Sequence, residues 1–244
     1  MDLEEIAKIL HSHLDGLEEL INNAKYYCED YKYDDQVLDD ILELKDESGA
    51  TWYDSGATKL VLAYADLPHY VVKIPFVGCK VYDCDENDNY DLVNDASFDY
   101  NFADASHGEL NLEHSWDYCE AEEKIYQKAS NHLKNLFVET IYVCSIGGHP
   151  IYVSPEMVDE FYWEDADNAS EESIKLAKKM CSAKKNFFLA DEIVSVIIEQ
   201  QGKEIAQEMM KFIAQYSLND FHTNNLMYDS DGILKFIDYA GYNE

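Results

Sequence analysis

The stretch Leu218-Asn-Asp-Phe-His-Thr-Asn-Asn-Leu-Met-Tyr-Asp-Ser-Asp-Gly-Ile-Leu-Lys-Phe-Ile-Asp-Tyr-Ala-Gly241 decides how the rest of this chain is read. Asp220 is followed at five residues by Asn225, then by a short apolar piece, the pair Asp231-Gly232, and a second apolar run ending in Asp238. That order predicts loop, strand, tight turn, strand, because Asp-Gly between two apolar runs is a strong hairpin signal. Such a hairpin brings Asp220, Asn225 and Asp238 toward one end of the strand pair. Their donors are all oxygen, which suits a hard divalent ion, and Mg²⁺ is usually held by one or two protein groups together with phosphate oxygens.

The spacing resembles the catalytic loop and metal-binding loop of the protein kinase and aminoglycoside kinase superfamily. The resemblance implies that Asp220 is the catalytic base and that Asn225 and Asp238 hold metal. Asp238-Tyr-Ala-Gly241 stands where Asp-Phe-Gly would, one residue longer, and Leu218 and Asn219 replace the usual His-Arg before the base. His222, two residues after Asp220, is similar to the small-molecule kinases.

Upstream, alternation after a Ser55-Gly56 turn predicts a strand over 58–65 and a second over 69–77 that contains Tyr70-Val-Val-Lys-Ile-Pro75. Read from the residues alone, Lys73 is either an edge charge facing solvent or a buried cation with an anionic partner. Val71-Val-Lys-Ile74 looks like the kinase Val-Ala-Ile-Lys strand, which implies that Lys73 grips ATP phosphates. Ser55 and Gly56 fall where the Gly-rich loop would cover the nucleotide, with one Gly where three are common. Residues 116–133 read as a helix carrying Glu120, Glu122 and Glu123. The resemblance implies Glu122 as the partner of Lys73, with Glu123 one helical step away as the alternative. At least two of the three acids are expected on an exposed charged face.

Two further strands, 137–145 and 149–155, joined by Ile146-Gly-Gly148, would complete a five-stranded antiparallel sheet if a first strand lies near Trp52. Glu156-Met157-Val158 then falls where the kinase hinge lies, so the backbone around Glu156 and Val158 is expected to read adenine. Beyond a loop at 161–168, residues 171–183, 190–200 and 201–216 read as helices, the last with the apolar stripe Ile205, Met209, Phe212, Ile213 and Tyr216.

At the other end, Leu3, Ile6, Ile9, Leu10, Leu14, Leu17, Leu20 and Ile21 predict an amphipathic helix to about Tyr27, packed on the body of the fold or serving as a dimer seam. A shorter helical piece follows at 37–44. Residues 79–115 are crowded with Asp, Asn and Glu and lack a helical period. They are expected to form a solvated insertion or an acidic recognition loop.

Composition bounds the partners. The 244 residues carry 50 acids against 18 bases, a net charge of -32, and every base is Lys. Without Arg there is no bidentate fork for phosphate, so Lys, backbone amides and metal must do that work. Nucleic acid and anionic membrane would be repelled, whereas a basic protein, or a surface that normally binds DNA, would be attracted. Six Cys without a close Cys-x-x-Cys pair, no basic leader and no apolar run approaching ~20 residues predict a cytoplasmic protein with free thiols.

The expected fold class is α+β, a kinase-like two-lobed arrangement. It comprises a helical extension (1–47), a sheet-containing nucleotide lobe (48–158, with the insertion 79–115) and a truncated helical lobe (159–244). The chain ends three residues after Gly241, so an activation segment and a docking lobe for protein substrates are not expected. In that shortness it is similar to compact kinase-like proteins of phages. The expected function is an ATP- and Mg²⁺-dependent phosphotransferase. The alternative, from a different class, is an acidic binding protein or DNA-mimic-like inhibitor on the same scaffold.

Overall fold

The computed structural model describes residues 1–15, 48–55, 59–77, 82–84, 90–92, 101–102, 117–182, 189–216, 218 and 221–239. The chain is mixed α and β and divides into two units: Met1–Glu120 with Thr140–Ser154, and Ala121–Glu139 with Pro155–Glu244. Each unit is thus built from two stretches of chain, unlike the contiguous segments 1–47, 48–158 and 159–244 that were expected, and residues 121–139 fall in the second unit.

In the first unit a helix, α1 (Leu3–His13), starts where Asp2 accepts the Glu5 amide at 2.9 Å, with Glu4 and Glu5 in the first turn facing the positive end of the helix dipole. It ends at His13, well short of the expected Tyr27. There the ring stacks on Tyr64 at 4.2 Å and reaches Asp66 at 2.9 Å and the Ser48 carbonyl at 2.9 Å. The expected continuation to Tyr27 and the helix at 37–44 lie outside the described residues.

The strands β1 (Trp52–Ser55), β2 (Lys59–Ala63) and β3 (Tyr70–Val77) follow. Two more, β7 (Ile141–Ile146) and β8 (His149–Pro155), complete a sheet in the order β1-β2-β3-β8-β7. The β1–β2, β2–β3 and β7–β8 pairs are antiparallel. Ile146 pairs with His149, which leaves a two-residue turn of Gly147 and Gly148 at φ 61° and 82°. Two consecutive positive φ values are what a hairpin turn matched to strand twist requires, and glycine adopts them without steric cost. One face of the sheet is apolar: Leu60, Leu62, Val72, Ile74, Ile151 and Val153 form a core with Ile6, Leu10 and Leu14 of the N-terminal segment. Burying three such side chains stabilises the docked segment by roughly 2 kcal/mol each.

The acidic segment is not wholly irregular. It holds a short hairpin, β4 (Tyr82–Cys84) with β5 (Tyr90–Leu92), and β6 (Asn101–Phe102), which pairs antiparallel with the end of β3. Its remaining residues lie outside the described ones.

The helix α2 (Tyr118–Lys128) begins in the first unit and continues into the second. The second unit adds α3 (Glu171–Ser182), α4 (Asp191–Gln201) and α5 (Lys203–Tyr216), close to the expected bounds. A small sheet, β11 (Leu234–Phe236), β10 (Leu226–Tyr228) and β9 (Asp159–Glu160), completes it, with a 3-10 turn over Trp163–Asn168 where a loop was expected. The core is helical: Ile193, Val194 and Ile197 of α4 and Met209, Phe212 and Ile213 of α5 pack with Phe137, Leu234 and Phe236. The stripe read along α5 is thus its buried side, with Ile205 and Tyr216 at its margins.

Candidate functional site

Lys73 sits in β3, between β2 and β8, so it is not an edge charge. Its side chain is 5% exposed, on the face of the sheet opposite the α1 core. A lysine on a central strand survives burial only when its ammonium is hydrogen-bonded and electrostatically compensated. Part of that role falls to Thr140, whose Oγ1 accepts from Lys73 Nζ at 3.2 Å and lies 3.1 Å from Ser154 Oγ. Thr140 and Ser154 are each 1% exposed.

The same unit holds a second buried polar group at the start of α2. Asp117 Oδ1 accepts the Glu120 amide at 2.9 Å, capping the helix, and Oδ2 accepts the Tyr152 hydroxyl at 2.7 Å. Burial pushes the Asp117 carboxyl up to about 6, against the lowering effect of the Tyr152 hydroxyl and the Glu120 amide. The Tyr152 hydroxyl is pushed upward by burial and by the neighbouring Asp117 charge. Of the three acids on α2, Glu120 and Glu122 are buried and Glu123 is half-buried, so the expected exposed face is absent. Glu122, at 0% exposure, is more enclosed than Glu123, and both belong to the second unit whereas Lys73 belongs to the first.

In the second unit, the register Leu226↔Phe236, Met227↔Lys235 and Tyr228↔Leu234 puts the turn at Asp229–Gly232. Asp229 organises that turn: it accepts the Asp231 and Ile233 amides at 3.0 and 2.9 Å and pairs with Lys235 at 3.1 Å. At the other end, the Ile237 amide donates to the Asn225 carbonyl at 3.0 Å. Asn225 therefore lies opposite Ile237, beside Asp238, with its side chain buried and that of Asp238 half-buried. The following Tyr239 is fully buried and its hydroxyl proton is shared between the Val138 carbonyl at 2.9 Å and the Glu122 carbonyl at 3.2 Å. Its ring meets Phe137 edge-on at 4.8 Å. Tyr239 thus fixes the backbone that carries Asp238. An amide and a carboxylate at one hairpin end are an oxygen donor set, which fits a hard divalent cation.

Asp220 and Gly56 lie outside the described residues, and Ser55 is described only as the last residue of β1. Glu156 and Val158 are exposed, just past the border between the units. The Val158 amide donates to the Tyr228 carbonyl at 2.9 Å, so any adenine contact here falls to other backbone groups. Also within the second unit, a cavity of about 470 Å³ opens at the turn end of the hairpin, lined by Asp159, Asp165, Glu199, Tyr228 and Asp229 among others. Its carboxylates would repel phosphate, and it lies at the opposite end of the β10–β11 hairpin from Asn225 and Asp238. Among the described residues no group of three or more His, Cys, Asp or Glu is placed to hold a metal, and no helix is long and apolar enough to cross a membrane.

Thr140, Ser154, Asp117 and Tyr239 are the residues that sequence reasoning missed. Asp117 alone had a readable signal, an acid three residues before Glu120 at the head of a helical run, which is the pattern of a capping box. No known family's sequence model, no curated protein and no solved structure matches the chain.

Proposed function

We propose that the chain is an ATP-dependent phosphotransferase of compact, kinase-like fold. The observation that carries this reading is the tail hairpin, whose register sets Asn225 opposite Ile237 and beside Asp238. A lysine in the third strand, the context expected of a phosphate-binding lysine, supports it, as does a following helix with a fully buried Glu122. Each strand and helix of the expected order from Trp52 onward has a counterpart.

In this reading Lys73 binds the nucleotide phosphates and Glu122 orients Lys73. Asn225 and Asp238 hold Mg²⁺, which supplies charge neutralisation at the phosphates. Asp220 orients the acceptor hydroxyl and takes its proton. The test is a melting curve with and without millimolar Mg-ATP, followed by a phosphate-transfer assay. A ligand bound by the folded state alone raises the melting temperature, and Lys73→Met and Asp238→Asn should each lose that rise. Asp220→Asn should keep it while losing transfer, autophosphorylation included, by orders of magnitude. An unchanged wild-type curve would reject the ATP site.

The net charge of -32 favours a second reading, a scaffold that binds a basic protein. That reading prevails if the biological effect persists in full in Asp220→Asn.

A further inference from the structure

We propose that Thr140 is a positioning residue for Lys73: its hydroxyl holds the ammonium in place for the nucleotide phosphates, with Ser154 orienting that hydroxyl in turn. The inference rests on the phosphotransferase reading above and adds to it two residues outside the resemblance.

The geometry is a short chain of three buried polar groups, Lys73 Nζ to Thr140 Oγ1 at 3.2 Å and Thr140 Oγ1 to Ser154 Oγ at 3.1 Å. An ammonium only donates, so Thr140 accepts through a lone pair and keeps its own proton to offer to Ser154. The cation thereby sets the direction of the chain and polarises it, which strengthens hydrogen bonds in a low-dielectric interior. The backbone fixes all three groups. Lys73 is in β3, Ser154 in the adjacent β8, and Thr140 immediately precedes β7, the next strand of the sheet.

A lysine side chain has four rotatable carbon–carbon bonds, and each hydrogen bond to its ammonium narrows the combinations it samples. Anchoring it beforehand removes ordering that nucleotide binding would otherwise have to supply. The alternative is that the hydroxyls merely satisfy a buried charge. That would affect folding but leave nucleotide affinity alone, so the two roles separate experimentally.

Thr140→Val keeps shape and removes the hydroxyl; Thr140→Ser keeps the hydroxyl and serves as the rescue. The first measurement needs no nucleotide: the Lys73 side-chain signal in protein labelled at lysine, assigned by its disappearance in Lys73→Met. It is expected to shift in Thr140→Val, because one hydrogen bond to the ammonium is lost, and to stay in place in Thr140→Ser. The second is a Mg-ATP titration, in which Thr140→Val weakens affinity by about tenfold, the lower end of what a hydrogen bond to a charged group contributes, and Thr140→Ser restores it. Ser154→Ala is expected to weaken it in the same direction by less.

A Lys73 signal unmoved by Thr140→Val overturns the proposal. So does equal Mg-ATP affinity in wild type and Thr140→Val, with or without a change in stability. Wild-type protein that binds no Mg-ATP overturns the phosphotransferase reading and this role together. That outcome is distinct from failure of the Thr140 role alone, where the wild type binds and the valine variant binds equally well.

Discussion

Two aspartates with opposite surroundings give this protein opposite responses to pH. Asp117 is buried, and burial raises its carboxyl to about 6 although Tyr152 and the Glu120 amide bond to it. A carboxyl with a raised folded pKa takes up its proton in the folded state first, so its contribution favours folding at low pH and declines as pH rises from about 4 to about 6. Set against an ordinary value near 3.9, that decline amounts to ~3 kcal/mol. Asn at 117 still caps a helix well and can donate its amide to the Tyr152 oxygen. Asp117→Asn is therefore expected to flatten the pH dependence of unfolding between about 4 and 6 and to raise stability at pH 7. Denaturant titrations across that range check it, and an unchanged slope would place the dependence elsewhere. At Asp229 burial also pushes upward, but the Ile233 amide and Lys235 outweigh it and the carboxyl lies below its usual range. Its stabilisation is present above the unfolded pKa and is lost as pH falls. Neither environment was legible from residue type, since both are aspartates in an acidic chain. Helical spacing alone likewise gave no sign that Glu122 is buried and Glu123 half-buried.

At the level of elements, the tail hairpin and the strand at 149–155 were legible because each has a turn with a definite chemical signature, Asp-Gly in one and Gly-Gly in the other. The helices α4 and α5 were legible through their apolar residues. The end of α1 was not, because the apolar spacing runs on past His13 while the His13 ring is committed to Tyr64 and Asp66. Strands β4 to β6 were missed because their surroundings are rich in Asp and Asn, which strands generally avoid. The hairpin yields its own prediction. Asp229 ties two turn amides and Lys235, and Gln200 of α4 bonds the Gly232 carbonyl at 3.0 Å and the Leu234 amide at 2.9 Å. Gly232 itself sits at φ 74°, where a side chain would be strained. Asp229→Ala is expected to lower stability by about 1–3 kcal/mol. It should speed amide exchange at Ile233 and Leu234 ahead of the rest of the unit, as hydrogen-exchange mass spectrometry would show. Uniform exchange across the unit would mean that Gln200 alone holds the turn.

Over the whole molecule, charge is the dominant quantity. With 50 acids and 18 lysines, self-repulsion opposes compaction, and it is screened beyond ~10 Å at 0.1 M salt. The melting temperature is expected to rise with sodium chloride from 0.01 to ~0.2 M. A fall over that range would mean that exposed ion pairs outweigh the repulsion. The path of the chain has a separate effect. It leaves one unit for the other at Glu120, returns after Glu139 and leaves again at Ser154. On the ribosome, the first unit cannot close its sheet until Ser154 has emerged, because β7 and β8 are made only after residues 121–139. Those nineteen residues in turn wait for the C-terminal strands they pack with, so each half of the molecule is unfinished while the other is being made. No single break in the gene separates the two units, and a nascent chain halted at residue 120 exposes the side of β3 that β8 would cover, an open edge of the kind that recruits other chains.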